Sequence, residues 1–570
     1  MKKDFNGFKT VRVAILSDSS SQLLHQALKG HGYDRQLNYD IYEADYDQIE
    51  QQIFNPASEL YDFAPELIII AKNTHALLDR FYNTSISGRN GFAKKAAYDI
   101  QSLINKINGQ LSAKIILFNF QEIDDKVFGN YANNLAHSFL YQVRKLNVLL
   151  MEEAQMQKAL FICDLQQLTM LHGFHSALDN KTYINADQSW SLEFLPLIAK
   201  NISAIIESIN GNFKKCLVLD LDNTLWGGVI GDDGLEGIQI GSLGIGKAFT
   251  LLQKWVKELK KRGIIICVCS KNIESVAKEV FEKHPEMILR PDDIAVFAVN
   301  WDNKVDNIHF IKSTLNIGFD SMVFLDDSAF ERTMVKEAIP ALEVPSLPED
   351  PADYLPYLQS LNLFETSSYT MEDEHRTCLY KEEAERLSLQ KVYQNEDEFL
   401  KTLQMEAEIA PVNTFTIPRA AQLSQRSNQF NLRTVRYTEA DLEKIAHSPG
   451  YISFTVRLKD KFGDNGIISL IILKKDAQPS LFIETWLMSC RVLKRGVEDF
   501  ILNRIVEMAA TNHCETIIGE YLPSAKNALV KDHYAKLGFE LEDSLWSLSV
   551  SSYKTKRAFI QNKIVQSEPA

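Results

Sequence analysis

The stretch that decides the fold of this chain reads Cys216-Leu-Val-Leu-Asp220-Leu-Asp222-Asn-Thr224. Its apolar residues predict a buried strand, and two acids spaced two apart follow that strand directly. Side chains two apart on an extended backbone share one face, so Asp220 and Asp222 should emerge together. Ligands of open α/β sheets bind at the carboxyl ends of strands. The pattern therefore predicts a polar site at the end of this strand.

Further polar residues follow in order, each where a predicted strand ends. Ser270 and Asn272 come after the second strand, and there a hydroxyl group and a helix start can meet phosphate oxygens. Lys304 brings a point positive charge, and Asp326 with Asp327 can hold a hard cation through carboxylate oxygens. A D-x-D pair alone could simply cap a turn. The ordered set instead favours a centre that binds phosphate and metal.

Around this centre, apolar runs alternate with amphipathic segments, which predicts parallel α/β sheets. The predicted central strands are 216–220, 264–269, 294–299 and 322–326, with helices at 246–262, 273–283, 304–315 and 328–338. Five prolines predict that 340–360 is a linker and docking segment rather than regular structure. Between Thr224 and Ser270 there is room for a flap at 226–241 and one helix, so another domain, a subunit or a large substrate must cover the site.

The flanking regions predict one further α/β domain and one α+β domain. The predicted amino-terminal strands are 11–16, 67–71, 114–118 and 159–163, with helices at 130–157 and 193–209. The carboxy-terminal region should begin with a charged helix at 371–388, become strand-rich from 405, and alternate strands with helices over 483–548. The tail after Lys554 should be frayed. We expect three domains, at 1–210, 211–362 and 363–570.

The central motifs resemble the haloacid dehalogenase superfamily, and 219–228, 269–272 and 324–332 are similar to its FkbH-like, subclass IIIC branch. The resemblance implies a Rossmannoid phosphatase domain without a large cap. In it, Asp220 forms an aspartyl phosphate, and Asp222 acts as general acid and then base. The residues implied to bind phosphate are Thr224, Ser270, Asn272 and Lys304, the last also catalytic. The residues implied to hold Mg2+ are Asp220, Asp222 (through its carbonyl), Asp326 and Asp327. A degenerate scaffold is disfavoured, because every chemical position is filled.

The region 405–550 resembles the GNAT acyltransferase fold. Arg491 and Gly496 match that family's diphosphate loop, but Lys494 replaces its first glycine, which disfavours ordinary acetyl-CoA binding. Cys490 is the candidate thiol for an acyl intermediate, since nearby positive charge favours thiolate. A small buried cysteine is the alternative. The resemblance also implies acyl- or pantetheine-binding roles for Asn527 and Tyr534, although Tyr534 could equally be a packed tyrosine.

The amino-terminal region vaguely resembles a flavodoxin- or SGNH-type α/β domain. Ser17-Asp18-Ser19-Ser20 follows the first strand, and Asn73 and His75 follow the third. The SGNH pattern needs a glycine before Asp-Ser and a late D-x-x-H, and neither occurs in 1–210. A serine without a well-placed base is a weak nucleophile. We therefore expect a non-catalytic domain that serves structure, docking or formation of a homodimer.

Composition excludes several classes of function. A net charge of -14 argues against nucleic acid and anionic lipid as partners. The chain start has no apolar signal core, and no apolar run is long enough to span a bilayer. Seven cysteines show no metal-binding spacing, which fits reduced thiols in a cytoplasm.

The resemblance implies a concrete activity for the whole chain. FkbH-like proteins dephosphorylate a 1,3-bisphosphoglycerate-type acyl phosphate and pass the glyceryl unit to an acyl carrier protein. Two alternatives remain open. One is a plain phosphomonoesterase that uses its flanking domains as lids. The other is a scaffold that docks a carrier protein and binds pantetheine in its GNAT-like region.

Overall fold

The computed structural model describes residues 4–563 except 391, 392, 394, 476–478 and 525, together with all side chains in that span other than those of 384, 387 and 388. Two compact units divide the chain, Met1–Glu207 and Ser208–Ala570. Three separate sheets occur, one in the first unit and two in the second. The predicted boundary at 362/363 inside the second unit stays a prediction. No helix among the described residues combines the length and the apolar character needed to cross a membrane.

The first unit is an α/β domain built on five parallel strands, in the order β2-β1-β3-β4-β5. Its strands are β1 Lys9–Ser17, β2 Leu37–Glu43, β3 Leu67–Ala71, β4 Lys114–Phe118 and β5 Leu160–Cys163. Its helices are Gln22–Asp34, Ile49–Phe54, Glu59–Phe63, Thr74–Tyr82, Ile86–Arg89, Phe92–Gln110, Phe139–Met156, Leu165–His172, Phe174–Ala177, Asn180–Ala186 and Leu195–Ile209.

Two sequence predictions for this unit were wrong. Strand β2 was missed because it lies at the sheet edge and alternates apolar with polar residues, so it lacks the continuous apolar run of a central strand. The helix predicted from residue 130 begins at Phe139. The Ser138 hydroxyl accepts a hydrogen bond of 3.2 Å from the Tyr141 amide and caps that helix, while Gly129–Asn134 forms only a 3-10 turn.

The second unit opens with a parallel four-stranded sheet in the order β8-β7-β6-β9. Its strands are β6 Cys216–Leu219, β7 Ile265–Ser270, β8 Val296–Val299 and β9 Met322–Leu325. Its helices are Ile230–Gly237, Gly246–Lys261, Glu274–Lys283, Lys304–Leu315, Ala329–Ala338 and Tyr354–Leu361. All four predicted strands are present, because each is a short apolar run buried on both faces.

The segment 340–360 is not irregular throughout, as the prolines had suggested. A helix forms at Tyr354–Leu361 and buries Tyr354 and Leu358 in the core of this sheet. Pro356 lies in the first turn of that helix, where a proline's missing N–H leaves no intrahelical hydrogen bond unmade. Proline therefore marks the start of this helix.

The remaining residues build a mixed eight-stranded sheet, in the order β15-β16-β14-β13-β12-β11-β10-β17. Its strands are β10 Met405–Pro411, β11 Tyr451–Asp460, β12 Gly463–Lys475, β13 Ser480–Met488, β14 Thr516–Glu520, β15 Glu540–Glu542, β16 Leu545–Ser549 and β17 Ile560–Lys563. Its helices are Arg376–Gln390, Glu396–Thr402, Ile417–Arg426, Glu439–Ala446, Val497–Thr511 and His533–Leu537. The expected α+β, GNAT-like architecture is present.

Two features of this sheet bear on function. Strands β13 and β14 run parallel but pair only from Ser480 to Ile483, so the end of β13 separates from β14. That end, near Met488, instead bonds to the backbone of Phe430. The frayed tail predicted after Lys554 is wrong in part, since β17 pairs with β10, while 564–570 lie outside the described residues.

A buried ion network ties the helix Arg376–Gln390 to the ends of β11 and β13. The Asp460 carboxylate is fully buried and accepts hydrogen bonds from Arg386 at 3.0 Å and from Arg495 at 3.1 Å. Breaking a buried pair leaves an uncompensated charge, which costs far more than breaking an exposed pair. This network should therefore fix the helix against the sheet.

We expect Asp460→Asn to destabilise the second unit by about 2–3 kcal/mol, because two buried guanidinium groups lose a shared carboxylate and keep only Glu382 and Glu383 as partners. Asp464→Asn is the matched control. Asp464 pairs with Arg457 at 2.6 Å on the surface of the same sheet and should cost under about 1 kcal/mol. Differential scanning calorimetry of both variants would compare the melting transitions. Equal shifts would contradict a structural role for the buried network.

Candidate functional site

The predicted polar groups meet at the carboxyl edge of the sheet β8-β7-β6-β9. Strand β6 pairs with both β7 and β9, and Leu219 lies opposite Leu325. The ladder continues one residue further, because the Asp220 amide donates a hydrogen bond of 2.9 Å to the Leu325 carbonyl. Asp220 therefore lies beside Asp326. Ser270 ends β7 at the same edge, and its hydroxyl bonds to the Asp220 carboxylate.

Lys304 lies between the two buried carboxylates. Its Nζ is 3.0 Å from Asp220 Oδ2 and 2.5 Å from Asp326 Oδ2. Asn303 caps the helix that starts at Lys304, since its side-chain oxygen accepts a hydrogen bond of 2.8 Å from the Asp306 amide. The cap fixes Lys304 as the first residue of the helix, which directs it to the sheet edge.

The charges of this centre do not balance within the protein. Burial raises the pKa of Asp220, against the opposing effects of Lys304 and Ser270. Burial and then the Asp220 carboxylate raise the pKa of Asp326 to about 6. Burial also acts to lower the pKa of Lys304, but the two carboxylates outweigh it and that pKa is raised. A single ammonium group thus serves a cluster of buried acids that still carries excess negative charge.

Asp327 completes a set of carboxylates that fits a hard cation. One oxygen each from Asp220, Asp326 and Asp327 lies within 4.8 Å of the other two. Burial and then Asp326 raise the pKa of Asp327. Mg2+ prefers such oxygen ligands, and it would relieve the unbalanced charge. Three of the four predicted metal residues therefore lie together. The fourth, Asp222, was expected to bind through its backbone carbonyl, and that stays a prediction.

Asp222 is held by three hydrogen bonds. Its Oδ1 accepts from the Trp226 indole at 2.9 Å and from the Ile230 amide at 3.0 Å, and its Oδ2 accepts from the Asn272 side chain at 2.9 Å. The Asn272 amide nitrogen thus orients Asp222, and the contact of Asn272 with phosphate stays a prediction. Trp226 and Ile230 lie at the beginning of the predicted flap, so their hydrogen bonds to Asp222 fix the position where the flap starts.

Thr224 and Arg332 hold the loop that carries Asp327. The Thr224 hydroxyl accepts a hydrogen bond of 3.1 Å from the Asp327 amide, so one predicted phosphate ligand also shapes the metal cluster. Arg332 donates to the carbonyls of Asp326 and Asp327 at 2.7 and 2.6 Å. No role was predicted for Arg332. The signal in the sequence was the position of Arg332, one turn into the helix that follows Asp326 and Asp327.

The predicted acyl-transfer residues do not converge. Cys490 and Arg491 line one cavity of the second unit, whereas Gly496, Asn527 and Tyr534 do not. Asn527 uses its side chain to bond Asn431, Leu522, Tyr521 and Ser524.

Tyr534 is a core residue, and burial strongly raises the pKa of its hydroxyl. The tyrosine that meets Cys490 is Tyr380, which the sequence analysis did not identify. Burial, and then the neighbouring Cys490 thiol to which it hydrogen-bonds, raise the pKa of Tyr380. This contact is long-range in sequence, so no local motif could reveal it.

The loop after β13 keeps the backbone of a glycine-rich loop, although a lysine occupies one of its glycine positions. Lys494 and Gly496 both have positive φ, at 63° and 72°. A non-glycine residue rarely adopts this conformation. Lys494 therefore occupies a glycine-type position and leaves its side chain where a family member would have none.

The candidate polar residues of the amino-terminal unit bond to the ends of the neighbouring strands β1 and β3. The Asn73 amide and side chain each donate to Asp18 Oδ1 at 2.8 Å, and burial raises the pKa of Asp18 to about 6. The Ser17 hydroxyl donates to the Ala71 carbonyl. His75 stacks on Tyr183 with ring centroids 4.1 Å apart and makes no hydrogen bond to a serine among the described residues. A non-catalytic role for this unit stays a prediction.

Comparison with known proteins identifies the family of this chain. The family model of the FkbH N-terminal domain matches residues 12–207. The crystal structure of the N-terminal part of BF1531 from Bacteroides fragilis, which contains a phosphatase domain complexed with Mg, is 49% identical to this chain. That match covers 64% of this chain and 97% of the other, with a TM-score of 0.62. The chain belongs to the FkbH-like family.

Acetyltransferase structures match about a quarter of this FkbH-like chain more remotely. A spermidine N-acetyltransferase from Vibrio cholerae, in complex with CoA and spermine, is 14% identical over 26% of this chain and 96% of its own, with a TM-score of 0.21. A GNAT-family acetyltransferase from Staphylococcus aureus is 12% identical over 25% and 99%, also with a TM-score of 0.21. Among curated proteins, none matches the chain.

We expect Asp326→Asn to weaken binding of a divalent cation at least tenfold, about 1.4 kcal/mol, because the variant removes charge from the carboxylate cluster. Isothermal titration with Mg2+, or electron paramagnetic resonance with Mn2+, would measure the affinity without any substrate. Asp302→Asn is the matched control, since Asp302 is exposed on the loop just before Lys304. Unchanged affinity in Asp326→Asn would place the cation elsewhere.

Proposed function

We propose that this FkbH-like chain is a Mg2+-dependent phosphatase of the haloacid dehalogenase type, with Asp220 as its nucleophile. The observation that carries the proposal is the position of Lys304 between Asp220 and Asp326, with Asp327 beside them. Removal of a phosphate group requires a nucleophile, a cation and a proton donor that lie close to one another. The Mg-bound phosphatase domain of the Bacteroides fragilis relative supports the same chemistry.

Each residue of the centre has a defined task in this proposal. Asp220 attacks phosphorus in line, and the bond from phosphorus to the leaving oxygen breaks. Lys304 binds the phosphoryl oxygens and limits their repulsion from Asp220. Bound Mg2+, held by Asp220, Asp326 and Asp327, supplies positive charge that offsets the negative charge of the phosphoryl group. Ser270 and Thr224 offer hydroxyl groups to the same oxygens.

Asp222 is the proton carrier of the proposal. Its carboxylate lies one strand repeat beyond Asp220, and hydrogen bonds from Trp226, Ile230 and Asn272 hold it in place. Asp222 first gives a proton to the leaving oxygen. It then takes a proton from the water that attacks the aspartyl phosphate. Fixing the side chain in advance lowers the cost of orienting it during the reaction.

Asp220→Asn should lower phosphatase turnover at least about a thousandfold, or ~4 kcal/mol of barrier, because an amide cannot form the acyl phosphate. Release of inorganic phosphate from p-nitrophenyl phosphate with Mg2+ would measure this. Asp302→Asn, which is exposed near the same edge, should retain turnover. A decrease of less than tenfold in Asp220→Asn would rule out the assigned nucleophile.

The finer proposal is that dephosphorylation is coupled to glyceryl transfer onto an acyl carrier protein. The position of Cys490 supports this proposal, because the thiol lines a cavity and lies next to the Tyr380 hydroxyl. In the proposed relay, the Cys490 sulfur attacks the acyl carbon, the bond from that carbon to the phosphate oxygen breaks, and inorganic phosphate leaves. The carrier thiol then attacks the thioester and regenerates Cys490. Because the pKa of Tyr380 is raised, Tyr380 stays protonated and can donate a hydrogen bond to the thiolate.

The proposal assigns the two phosphate groups of a bisphosphorylated acid to different places. Asp220 would remove the phosphate ester, whereas the acyl phosphate would react with Cys490. The proposed setting is the cytoplasm, which is supported by seven free cysteines. A homodimer through the amino-terminal unit remains part of the proposal.

A plain phosphomonoesterase is the second candidate, and the fate of two predicted residues favours it. Asn527 and Tyr534 are committed to the interior of the carboxy-terminal sheet and offer nothing to an acyl group. In that case, no acyl group would be found on the protein. The docking scaffold differs again, since it would bind a carrier without being acylated.

Cys490→Ala should separate the two reactions. Phosphate release at Asp220 should persist, because the residues of that centre are unchanged. Loading of a carrier should fall at least a hundredfold, because alanine has no sulfur that could hold the acyl group. After enzyme, Mg2+ and carrier are mixed with a bisphosphorylated glyceryl acyl phosphate, intact-protein mass spectrometry would detect carrier loading. A colorimetric assay would measure the inorganic phosphate released. Cys514→Ala is the control, because Cys514 is also half-buried but does not line the cavity. Loading at the wild-type rate by Cys490→Ala would exclude the covalent relay.

A further inference from the structure

The cavity that Cys490 lines is distant from the phosphatase centre. It has a volume of about 250 Å³ and is bounded by Lys215, by 316–321 and by 488–491. Lys215 immediately precedes β6, and 316–321 precede β9, so the cavity lies at the amino-terminal edge of the sheet. Asp220 lies beyond the opposite end of β6. Five residues of extended chain separate Lys215 from Asp220, which is about 16 Å.

Cationic side chains outnumber acidic ones around this cavity. Six cations line it against three acids, namely Lys215, Arg376, Arg419, Arg426, Arg491 and Lys526 against Asp320, Glu372 and Asp373. The acids are already engaged. Asp373 pairs with Arg426 and Arg376, Glu372 with Arg419, and Asp320 with Lys526. Neither Lys215 nor Arg491 has a carboxylate within 4.0 Å in the described part of the chain.

This excess is costly because the cations are buried. Burial and then the charge of Arg376 lower the pKa of Lys215 to about 7 and that of Arg426 to about 9. The chain as a whole carries a net charge of -14, so acids are abundant in its sequence. An uncompensated buried charge normally acquires a partner or is lost. An anionic ligand would provide the partner that no described carboxylate provides for Lys215 and Arg491.

Unused hydrogen-bond donors point to the same conclusion. Arg491 is only 6% exposed, and it donates from Nε to Ser489 and from Nη2 to the Asn465 carbonyl. Its Nη1 has no hydrogen-bond partner among the described residues, and neither has Nε of Arg426. Buried guanidinium donors are almost always satisfied in proteins. Phosphate, with several acceptor oxygens, matches the planar fork of arginine.

We propose that this cavity is a second anion site, which binds the phosphate group of a small ligand through Arg491, Lys215 and Arg426. The ligand is either inorganic phosphate or the phosphate of a small phosphorylated acid, for which a cavity of this volume has room. The site is separate from the Asp220 centre. It rests on the charges and donors around the cavity, and it requires neither the phosphatase chemistry nor the acyl relay proposed above.

Cys490 provides a reporter for this site, because a ligand in the cavity should shield its thiol. We expect saturating inorganic phosphate or 3-phosphoglycerate, with EDTA present, to slow alkylation of Cys490 by iodoacetamide at least fivefold. Peptide mass spectrometry would follow Cys490 and Cys514 in the same sample. Cys514 is half-buried and does not line the cavity, so its rate should not change. Protection by 3-phosphoglycerate but not by inorganic phosphate would identify the ligand as a phosphorylated acid.

Arg491→Gln should abolish the protection, while Arg457→Gln, which changes an exposed arginine outside the cavity, should retain it. Lys215→Gln, which changes another of the three proposed binding residues, serves if Arg491→Gln does not fold as judged by thermal melting. Equal alkylation rates of wild-type Cys490 with and without both anions would overturn the proposal.

A second measurement decides the case in which Cys490 does not react with iodoacetamide. Isothermal titration with phosphate should then show one site fewer in Arg491→Gln than in Arg457→Gln. The same number of sites in the two variants would overturn the proposal. Neither measurement uses turnover, so failure here leaves the assignment of Asp220 to be judged separately.

Discussion

The contact of Lys304 with Asp220 and Asp326 is the constraint on which the phosphatase centre depends. Two carboxylates at adjacent strand ends repel each other, and burial strengthens that repulsion. The ammonium group makes their approach tolerable, yet one positive charge does not balance them together with Asp327. The centre is thus stable enough to form and still electrostatically incomplete. That incompleteness suits a site that takes up a cation and a phosphate group.

The other edge of the same sheet also carries unbalanced charge, and there the charge is positive. Lys215, Arg426 and Arg491 are buried around a cavity in which their positive charge is not balanced. Strand β6 thus connects an acid-rich edge with a cation-rich edge. Short parallel strands carry little side-chain chemistry themselves, so the residues just before and just after them provide it. A ligand with more than one phosphate group could use both edges in turn.

The carboxy-terminal sheet contributes through the place where two of its strands separate. Strands β13 and β14 pair over four residues, after which β13 continues beside the backbone of Phe430. Cys490 lies just beyond that end, and Asn316, in the loop that leads to β9, donates a hydrogen bond of 3.0 Å to its carbonyl. The buried network of Asp460, Arg386 and Arg495 holds the adjoining loop. The thiol is therefore positioned by contacts from both sheets of the second unit.

The sequence alone determined the central strands and the order of Asp220, Ser270, Lys304 and Asp326, because strand ends of a parallel sheet meet at one edge whatever the loops do. The sequence could not predict features that depend on partners distant in the chain. Edge strand β2 and strand β17 lack the apolar run of a buried strand, and Pro356 was read as a break although it starts a helix. Tertiary structure alone decided that Asn272 orients Asp222, that Tyr534 is packed in the core, and that Tyr380 meets Cys490. These outcomes follow from which side chains share a buried space, and residues far apart in the sequence share one only after the chain has folded.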